Sequence, residues 1–295
     1  MKLCITGANS SVGRNLLQHL ARRDDMSAVA LVRSNAALAA LPQAATITPI
    51  ALDYADAAAM RAACGGADAI VHLAGVLFES KRASYQSANV ESSKAVLNAA
   101  RAAGVPQVLF ISVLGADAAS ANPFYRSKGQ AERLFLESGL AATVLRTPLL
   151  LGPHSAGGRA LLREARSGKA KLLGGGRHVV RPLDLDDLSA AILAGCAAPK
   201  GARVLELCGP QAVPYHALVT QLAALEGNKV EIASISLWLA KLLSGISHAV
   251  KGGGMSPAII DVITASEDPR ENADAALGLS LTPLTQTLTK LKQRK

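Results

Sequence analysis

Aromatic residues are scarce in this chain: four Phe, four Tyr and one Trp amount to 3% of 295 residues. Proteins that grip single-stranded nucleic acid by stacking need exposed rings, so that class is excluded, and the core has to be built from Ala, Leu and Val. Cysteine is rare as well. Cys4, Cys64, Cys196 and Cys208 form no CxxC pair and lie in apolar runs, which reads as buried thiols of a reducing compartment, and no metal site is expected. Long apolar runs are also missing. The longest, Ile232 to Val250, is interrupted by Lys241 and several serines, too polar for a membrane span. There is no internal repeat. The first strand begins at residue 2, which leaves no room for a signal or transit peptide; the expected location is cytoplasmic, or peripheral at the inner face of a membrane.

What is abundant is apolar surface, 50% of residues. That fills the core of one large α/β domain, or of a domain with a smaller appendage. The net charge of +9 is compatible with nucleic acid, an anionic membrane or an anionic ligand. The excess is dispersed, apart from Arg22-Arg23 and a tail of Lys290, Lys292, Arg294 and Lys295. With no helix or stripe gathering it, nucleic acid is not an expected partner.

The stretch Lys2 to Leu16 organises the rest. Leu3-Cys4-Ile5 reads as a strand, Thr6 to Gly13 as a glycine turn, and Arg14-Asn15-Leu16-Leu17 as the start of a helix running to Arg22. Strand, tight turn and helix in that order aim unpaired N–H groups and the positive helix end at one point, where a pyrophosphate can sit. Gly7 permits the sharp turn and Gly13 the close approach of helix to strand. Ser10 stands where the usual middle glycine would be; its backbone N–H and hydroxyl remain available as donors. The competing reading is a glycine turn that binds nothing.

Strand and helix patterns then alternate. Ala28–Val32, Thr46–Leu52, Ala69–Leu73, Gln107–Ser112, Ala142–Arg146 and Val204–Leu207 join the first strand, with Pro49 either weakening its own strand or placing it at an edge. Helices are expected near 34–41, 55–64, 84–103 and 127–138, then 160–167, 184–196 and 215–226. Seven strands that are apolar on both faces require a parallel sheet covered on both sides, a doubly wound α/β fold. Regularity breaks after Pro148. We expect a core over residues 1–150 and a smaller, mostly helical part over 151–295 with segments returning to the core, and a hinge or loop at Lys251 to Gly254.

Arg33 ends the second strand, where an acidic residue would bind ribose hydroxyls and an arginine accommodates a 2′-phosphate, so NADP(H) is favoured with NAD(H) as the alternative. Asp53 after the third strand is either an acceptor for an adenine amino group or a cap for the helix behind it. His72 points into a covered sheet and reads as a satisfied core histidine, while the small residues Leu73-Ala74-Gly75 leave space for a ribose.

The glycine loop, Arg33, Asp53, the His72–Gly75 edge, Asn89, Ser112 and Tyr125-Arg126-Ser127-Lys128 resemble the extended and atypical short-chain dehydrogenases. With Arg146-Thr147-Pro148, Leu151-Gly152-Pro153, Asp184–Asp187 and Leu277–Leu284, the chain is similar to the family of the nucleotide-binding accessory subunit of respiratory complex I and its bacterial relatives. The resemblance spans nearly the whole chain and implies a Rossmann fold. It implies that Gly7, Asn9, Ser10, Ser11, Val12 and Gly13 hold the dinucleotide phosphates. Arg33, Asp53, Leu73, Ala74, Gly75, Asn89, Ser112, Lys128, Thr147 and Pro148 would contact the rest of the cofactor, with Lys128 at the nicotinamide ribose; Asn89 either fixes the active-site helix or is an ordinary polar helix position. It also implies Ser112, Tyr125 and Lys128 as catalytic residues. Active members place a tyrosine four residues before the lysine, whose ammonium lowers the phenol pKa. Here that position is Phe124, and Tyr125 is turned about 100 degrees from it on a regular helix. A displaced helix start would restore Tyr125.

Three functions follow as expectations. One is an NADP(H)-binding protein whose nucleotide serves structure or sensing. Another is a working oxidoreductase or epimerase on a small carbonyl or nucleotide-linked substrate. A third is an accessory or assembly protein of a membrane respiratory complex, docking on the complex or the membrane surface through residues 232–295. Substrate contacts are expected from residues 75–88 and 150–182, with Lys81, Arg82 and His154 as cations for an anionic substrate. Ile235, Leu239, Leu242, Leu243 and Ile246 recur at helical spacing beside Trp238, a stripe that reads first as core and second as a surface helix.

Overall fold

A computed structural model describes residues 1–197, 201–251 and 254–292. Gly252 and Gly253 of the expected hinge, and Arg294 and Lys295 of the basic tail, lie outside the described residues.

The first half builds β1 (Lys2–Thr6), α1 (Ser11–Leu20), β2 (Ser27–Val32), α2 (Asn35–Leu38), β3 (Ile47–Ala51), α3 (Ala57–Cys64) and β4 (Ala69–His72). A π-helical turn, Gln86–Glu91, leads into α4 (Ser92–Ala102), followed by β5 (Gln107–Val113), α5 (Pro123–Leu136) and β6 (Ala141–Thr147). Beyond them come β7 (Leu150–Leu151), α6 (Ala156–Ala165), β8 (Lys169–Leu173), β9 (Val179–Val180), β10 (Leu183–Asp184), α7 (Leu185–Ala197) and β11 (Arg203–Glu206). The chain closes with β12 (Val213–Pro214), α8 (Tyr215–Leu225), β13 (Glu231–Ile235), α9 (Leu237–Lys251), α10 (Pro257–Ile263) and α11 (Leu284–Lys292).

Seven of these strands form one parallel sheet in the order β11-β6-β5-β4-β1-β2-β3. Strand order reverses between β1 and β4, and a doubly wound sheet opens a crevice at the carboxyl ends of such a pair. Burial on both faces explains the unbroken apolar runs. Leu3, Ile5, Ala30 and Val71 join α1 and α7 in one core, and Cys4, Val29, Ile70 and Phe110 join α3, α4 and α5 in the other. Pro49 sits on β3, an edge strand, where its missing N–H breaks no inner ladder. A third cluster, with Leu161, Leu172, Leu218, Leu222 and Leu288, consolidates the C-terminal part. That part is mainly helical, with short ladders pairing β7 with β10, β8 with β13 and β9 with β12.

Several elements differ from their sequence reading. α1 starts at Ser11 rather than near Arg14, because the Ser10 hydroxyl accepts from the Gly13 N–H at 3.0 Å and caps it. α5 starts at Pro123 rather than Ser127, capped by Asn122, whose side chain accepts from the Phe124 and Tyr125 N–H groups. The expected helix 84–103 begins with the π turn. The apolar segment 232–250 divides, its first residues joining β13 on β8. Its helical stripe is not core: Trp238, Leu239, Leu242, Leu243 and Ile246 are exposed, because α9 packs on α10 through its opposite face. Among the described residues, no helix is long and apolar enough to cross a membrane.

Candidate nucleotide site and cleft

β1 delivers Gly7 to the crevice with φ 67°, a left-handed conformation that favours glycine. A Cβ there would stand 2.8 Å from the Ala74 nitrogen, and one at Gly13 would stand 2.5 Å from the Ala8 carbonyl oxygen. The loop is therefore pressed against the end of β4 and the helix against the loop, as the sequence implied. Ser10 behaves differently. Its backbone N–H donates to the Gly7 carbonyl at 3.0 Å, so it is a turn bond rather than a free donor. Ser11 and Val12, in the first turn of α1, present N–H groups that no helical carbonyl can reach. Asn9 is exposed on the turn before them. Tyr54 was not among the expected site residues, yet its hydroxyl accepts from the Gly7 N–H at 2.8 Å and donates to the Leu31 carbonyl at 3.2 Å. That side chain is buried, with its pKa pushed up to about 12 by burial, and it ties the loop to β2. Its only sequence signal was a tyrosine at the end of the third strand.

Arg33 is exposed just past β2. Asp53 is exposed past β3 and accepts from the Ala55 N–H at 3.0 Å. The cap of α3 is Asp56, accepting from the Ala59 N–H, so the capping alternative moves three residues along the chain. His72 is fully buried between Thr6 Oγ1, 2.7 Å from Nδ1, and Ser93 Oγ, 3.3 Å from Nε2, and is stacked on Phe110. Burial holds its pKa down at about 3, so it is a neutral core histidine.

Leu73, Ala74 and Gly75 continue from β4 beside Gly7. Asn89 accepts from the Val76 N–H and donates to Ser127 Oγ, each at 2.9 Å. It braces the loop behind β4 against α5. Thr147 donates to the Ser112 carbonyl at 3.1 Å. Among the described residues the buried Ser112 hydroxyl has no partner, and an orphan of that kind at the carboxyl end of a central strand fits a ligand group. Close glycines, free N–H groups on α1 and this hydroxyl fit a dinucleotide.

α5 carries the residues expected for catalysis, and it is regular from Pro123 onward. The irregular start that would have restored Tyr125 is absent. Phe124 is buried against Tyr85 and Ile259. Lys128 is also buried; its ammonium donates to the Ile111 carbonyl at 2.7 Å and lies 4.1 Å from the Phe110 ring centroid. Burial lowers its pKa to about 7, against a smaller opposing effect of Glu132. The Tyr125 ring packs on Gly115, and among the described residues its hydroxyl has no hydrogen-bond partner. Burial first, then Glu267 and Asp261, push its pKa up, the opposite of what a lysine partner would do.

A cleft of about 1650 Å³ runs from Ser11 past Tyr125, Thr147 and Pro148 into the C-terminal part. Leu77, Phe78 and residues from 150 to 180 line it, as the sequence implied, and Arg159, Arg163, Lys171 and Arg270 contribute charge. His154, Lys81 and Arg82 do not line it: His154 borders a small pocket beside Arg14, and the other two are exposed on the loop after Phe78. Glu267, not anticipated, lines the cleft with its oxygens accepting from the backbone N–H groups of Leu149 at 2.5 Å and Arg181 at 2.7 Å. Burial raises its pKa to about 7. No local sequence signal marks a carboxylate whose partners are 118 and 86 residues away.

The sequence profile of the NAD(P)H-binding family matches residues 7–172, from the glycine loop into the cleft. The chain belongs to the NAD(P)H-binding family. Among curated proteins of this kind, it is 26% identical over 224 residues to NADH dehydrogenase (ubiquinone) 1 alpha subcomplex subunit 9, mitochondrial, of Arabidopsis thaliana. That match covers 72% of this chain and 55% of the plant protein, so the chain spans about half the length of that relative. It is 24% identical over 269 residues to Quinone oxidoreductase 2 of Escherichia coli (strain K12), covering 90% of this chain and 86% of that protein. The UDP-glucuronic acid 4-epimerase from Bacillus cereus, solved with UDP-glucuronic acid and NAD, superposes with a TM-score of 0.78 at 17% identity over all of both chains, a likeness of fold. The family match bears out the nucleotide-binding reading of the glycine loop, and the likeness of fold bears out the Rossmann architecture that the residues implied.

Proposed function

We propose that this member of the family holds NADP(H) in a structural or sensing role. One observation carries the reading: the lysine of α5 reaches the Ile111 carbonyl, its partner position one turn earlier is a buried phenylalanine, and Tyr125 packs elsewhere. A tyrosine–lysine pair that lowers a phenol pKa is not assembled. Arg33 at the end of β2 supports NADP(H) over NAD(H). Gly7, Gly13, Ser11, Val12 and Ser112 would hold the nucleotide, which when bound supplies a redox-active ring.

A second reading, turnover of a small carbonyl or nucleotide-linked substrate, is favoured by the size of the cleft and by Glu267, whose carboxyl holds a proton up to about neutral pH there. The division into a nucleotide core over 1–150 and a substrate or partner part over 151–295 belongs to the same proposal. So does peripheral association with a membrane, or with a complex in it, through residues 232–295. The deciding experiment is mass spectrometry of nucleotide released from the purified, denatured protein, followed by incubation of the native form with carbonyl compounds. NADP(H) that co-purifies and stays inert supports the first reading. Nucleotide that exchanges and changes redox state overturns it in favour of the second.

A further inference from the structure

α9 is amphipathic with its faces reversed. Ala240, Lys241, Ser244, Gly245 and His248, spaced on one side of the helix, are the less exposed residues; Ser244 is buried, and Gly245 faces Pro257 of α10. Lys241 pairs with Asp261 of α10 at 2.5 Å. The large apolar residues point the other way. Trp238 is 72% exposed, Ile246 59% and Leu243 58%, with Leu239 and Leu242 beside them. A helix folded for water would bury the second face and solvate the first. A contiguous apolar patch of this kind marks a surface that something else covers.

Further exposed apolar residues lie on the neighbouring segments. Met255 follows the helix and Ile263 lies on α10; both are exposed, both line the cleft, and exposed Phe78 lines it from the other side. The Gly254 N–H donates to the Glu79 carbonyl, which joins the Phe78 loop to the end of α9. Cations border this surface. Lys81 and Arg82 are exposed on the Phe78 loop, Lys171 is exposed on β8, and Arg177 is exposed after Gly174, on which Leu237 packs. The sequence of α9 has Lys241, His248 and Lys251 and no Asp or Glu, in a chain of net charge +9.

We propose that this face seats in the interface of an anionic lipid bilayer, with α9 parallel to the surface and Trp238 at headgroup depth. The proposal rests on the peripheral-association reading above and names its partner. Charge selects the occupant. A second copy would set the same exposed cations, Lys81, Arg82, Lys171 and Arg177, against one another, whereas anionic headgroups complement them. A helix of 15 residues is too short to span but long enough to lie in the interface.

Trp238 is the only tryptophan in the chain, so its fluorescence reports this face alone. The test mixes the full-length protein with vesicles of phosphatidylcholine alone, or of phosphatidylcholine with phosphatidylglycerol. The expected result is a shift of emission to shorter wavelength and co-flotation with the anionic vesicles, both weakened by salt. Leu243→Ser combined with Ile246→Ser should lower partitioning by about tenfold or more, since both side chains are exposed and the fold does not need them. Equal binding to neutral vesicles overturns the anionic assignment. Failure to bind either kind overturns the proposal, and sedimentation then decides what covers the face: a dimer broken by the same substitutions makes it a self-interface. Binding to native membranes without binding to pure lipid also overturns lipid docking, but leaves peripheral association with a membrane protein standing.

Discussion

The Lys128 ammonium donates to the Ile111 carbonyl across 2.7 Å, from α5 into the end of β5. A charge that close to the sheet is covered by the Phe110 ring, and its partner is a neutral dipole. The arrangement anchors α5 to the sheet beside the orphan hydroxyl of Ser112 and makes the lysine's protonation state sensitive to folding.

Burial lowers Lys128 from its ordinary 10.5 to about 7, so between those values the unfolded chain binds more protons than the folded one. Stability attached to this group is present above 10.5 and is lost as pH falls through 7. Lys128→Met should therefore gain on the parent as pH drops from about 10 to about 7, by up to roughly 2–5 kcal/mol across the window. Urea denaturation at a series of pH values checks this; parallel curves for the two proteins would remove Lys128 from the account.

Glu267 runs the other way. Its carboxyl is raised from 4.5 to about 7 by burial, so the folded chain holds the extra proton. Stability from this group is present below 4.5 and lost as pH rises through 7. Glu267→Gln should flatten that slope, while losing about 1–3 kcal/mol at low pH because one of the two backbone N–H groups loses its acceptor. Thermal melts of both proteins between those limits distinguish the two effects.

Arg33→Asp should weaken NADP(H) by roughly tenfold to a hundredfold, the value of one charge-assisted phosphate contact. NAD(H) affinity should hold or improve. Isothermal titration with both nucleotides is the measurement, and equal losses would sink the 2′-phosphate assignment.

Gly13→Val puts a Cβ 2.5 Å from the Ala8 carbonyl oxygen, against backbone that has little room to move. We expect a loss of about 1–3 kcal/mol in stability from overpacking and no measurable nucleotide binding. Unchanged nucleotide fluorescence titrations would take the loop out of the site.

Tyr54→Phe keeps the ring and deletes the hydroxyl that joins Gly7 to Leu31. Leaving those buried backbone groups short of a partner should cost about 1–3 kcal/mol. Nucleotide affinity should fall with it. Hydrogen exchange at Gly7 is the direct readout: protection that survives the substitution would show that the loop holds itself.

Much of this architecture could be read in advance because it depends on local pattern. Leu3-Cys4-Ile5 followed by Gly7 and Gly13 names a strand, a turn and a close helix, and Pro49 names an edge. The start of α5 was legible too, since Asn122 before Pro123 is a cap and a first helical residue, although the pattern was read from Ser127. Other features depend on distance. Nothing near Glu267 announces that Leu149 and Arg181 will donate to it. The stripe on α9 has the same spacing whether it faces a core or the outside, and only the packing of Gly245 on Pro257 decides which.

β11 forms one edge of the seven-stranded sheet, bridged at Glu206 by Asn272, and it is encoded by residues 203–206. During synthesis the six earlier strands leave the ribosome first, with β6 as an open edge. That edge stays available for wrong pairing until some sixty more residues have been made. A ribosome stalled between β6 and β11 would therefore carry the chain at its most aggregation-prone.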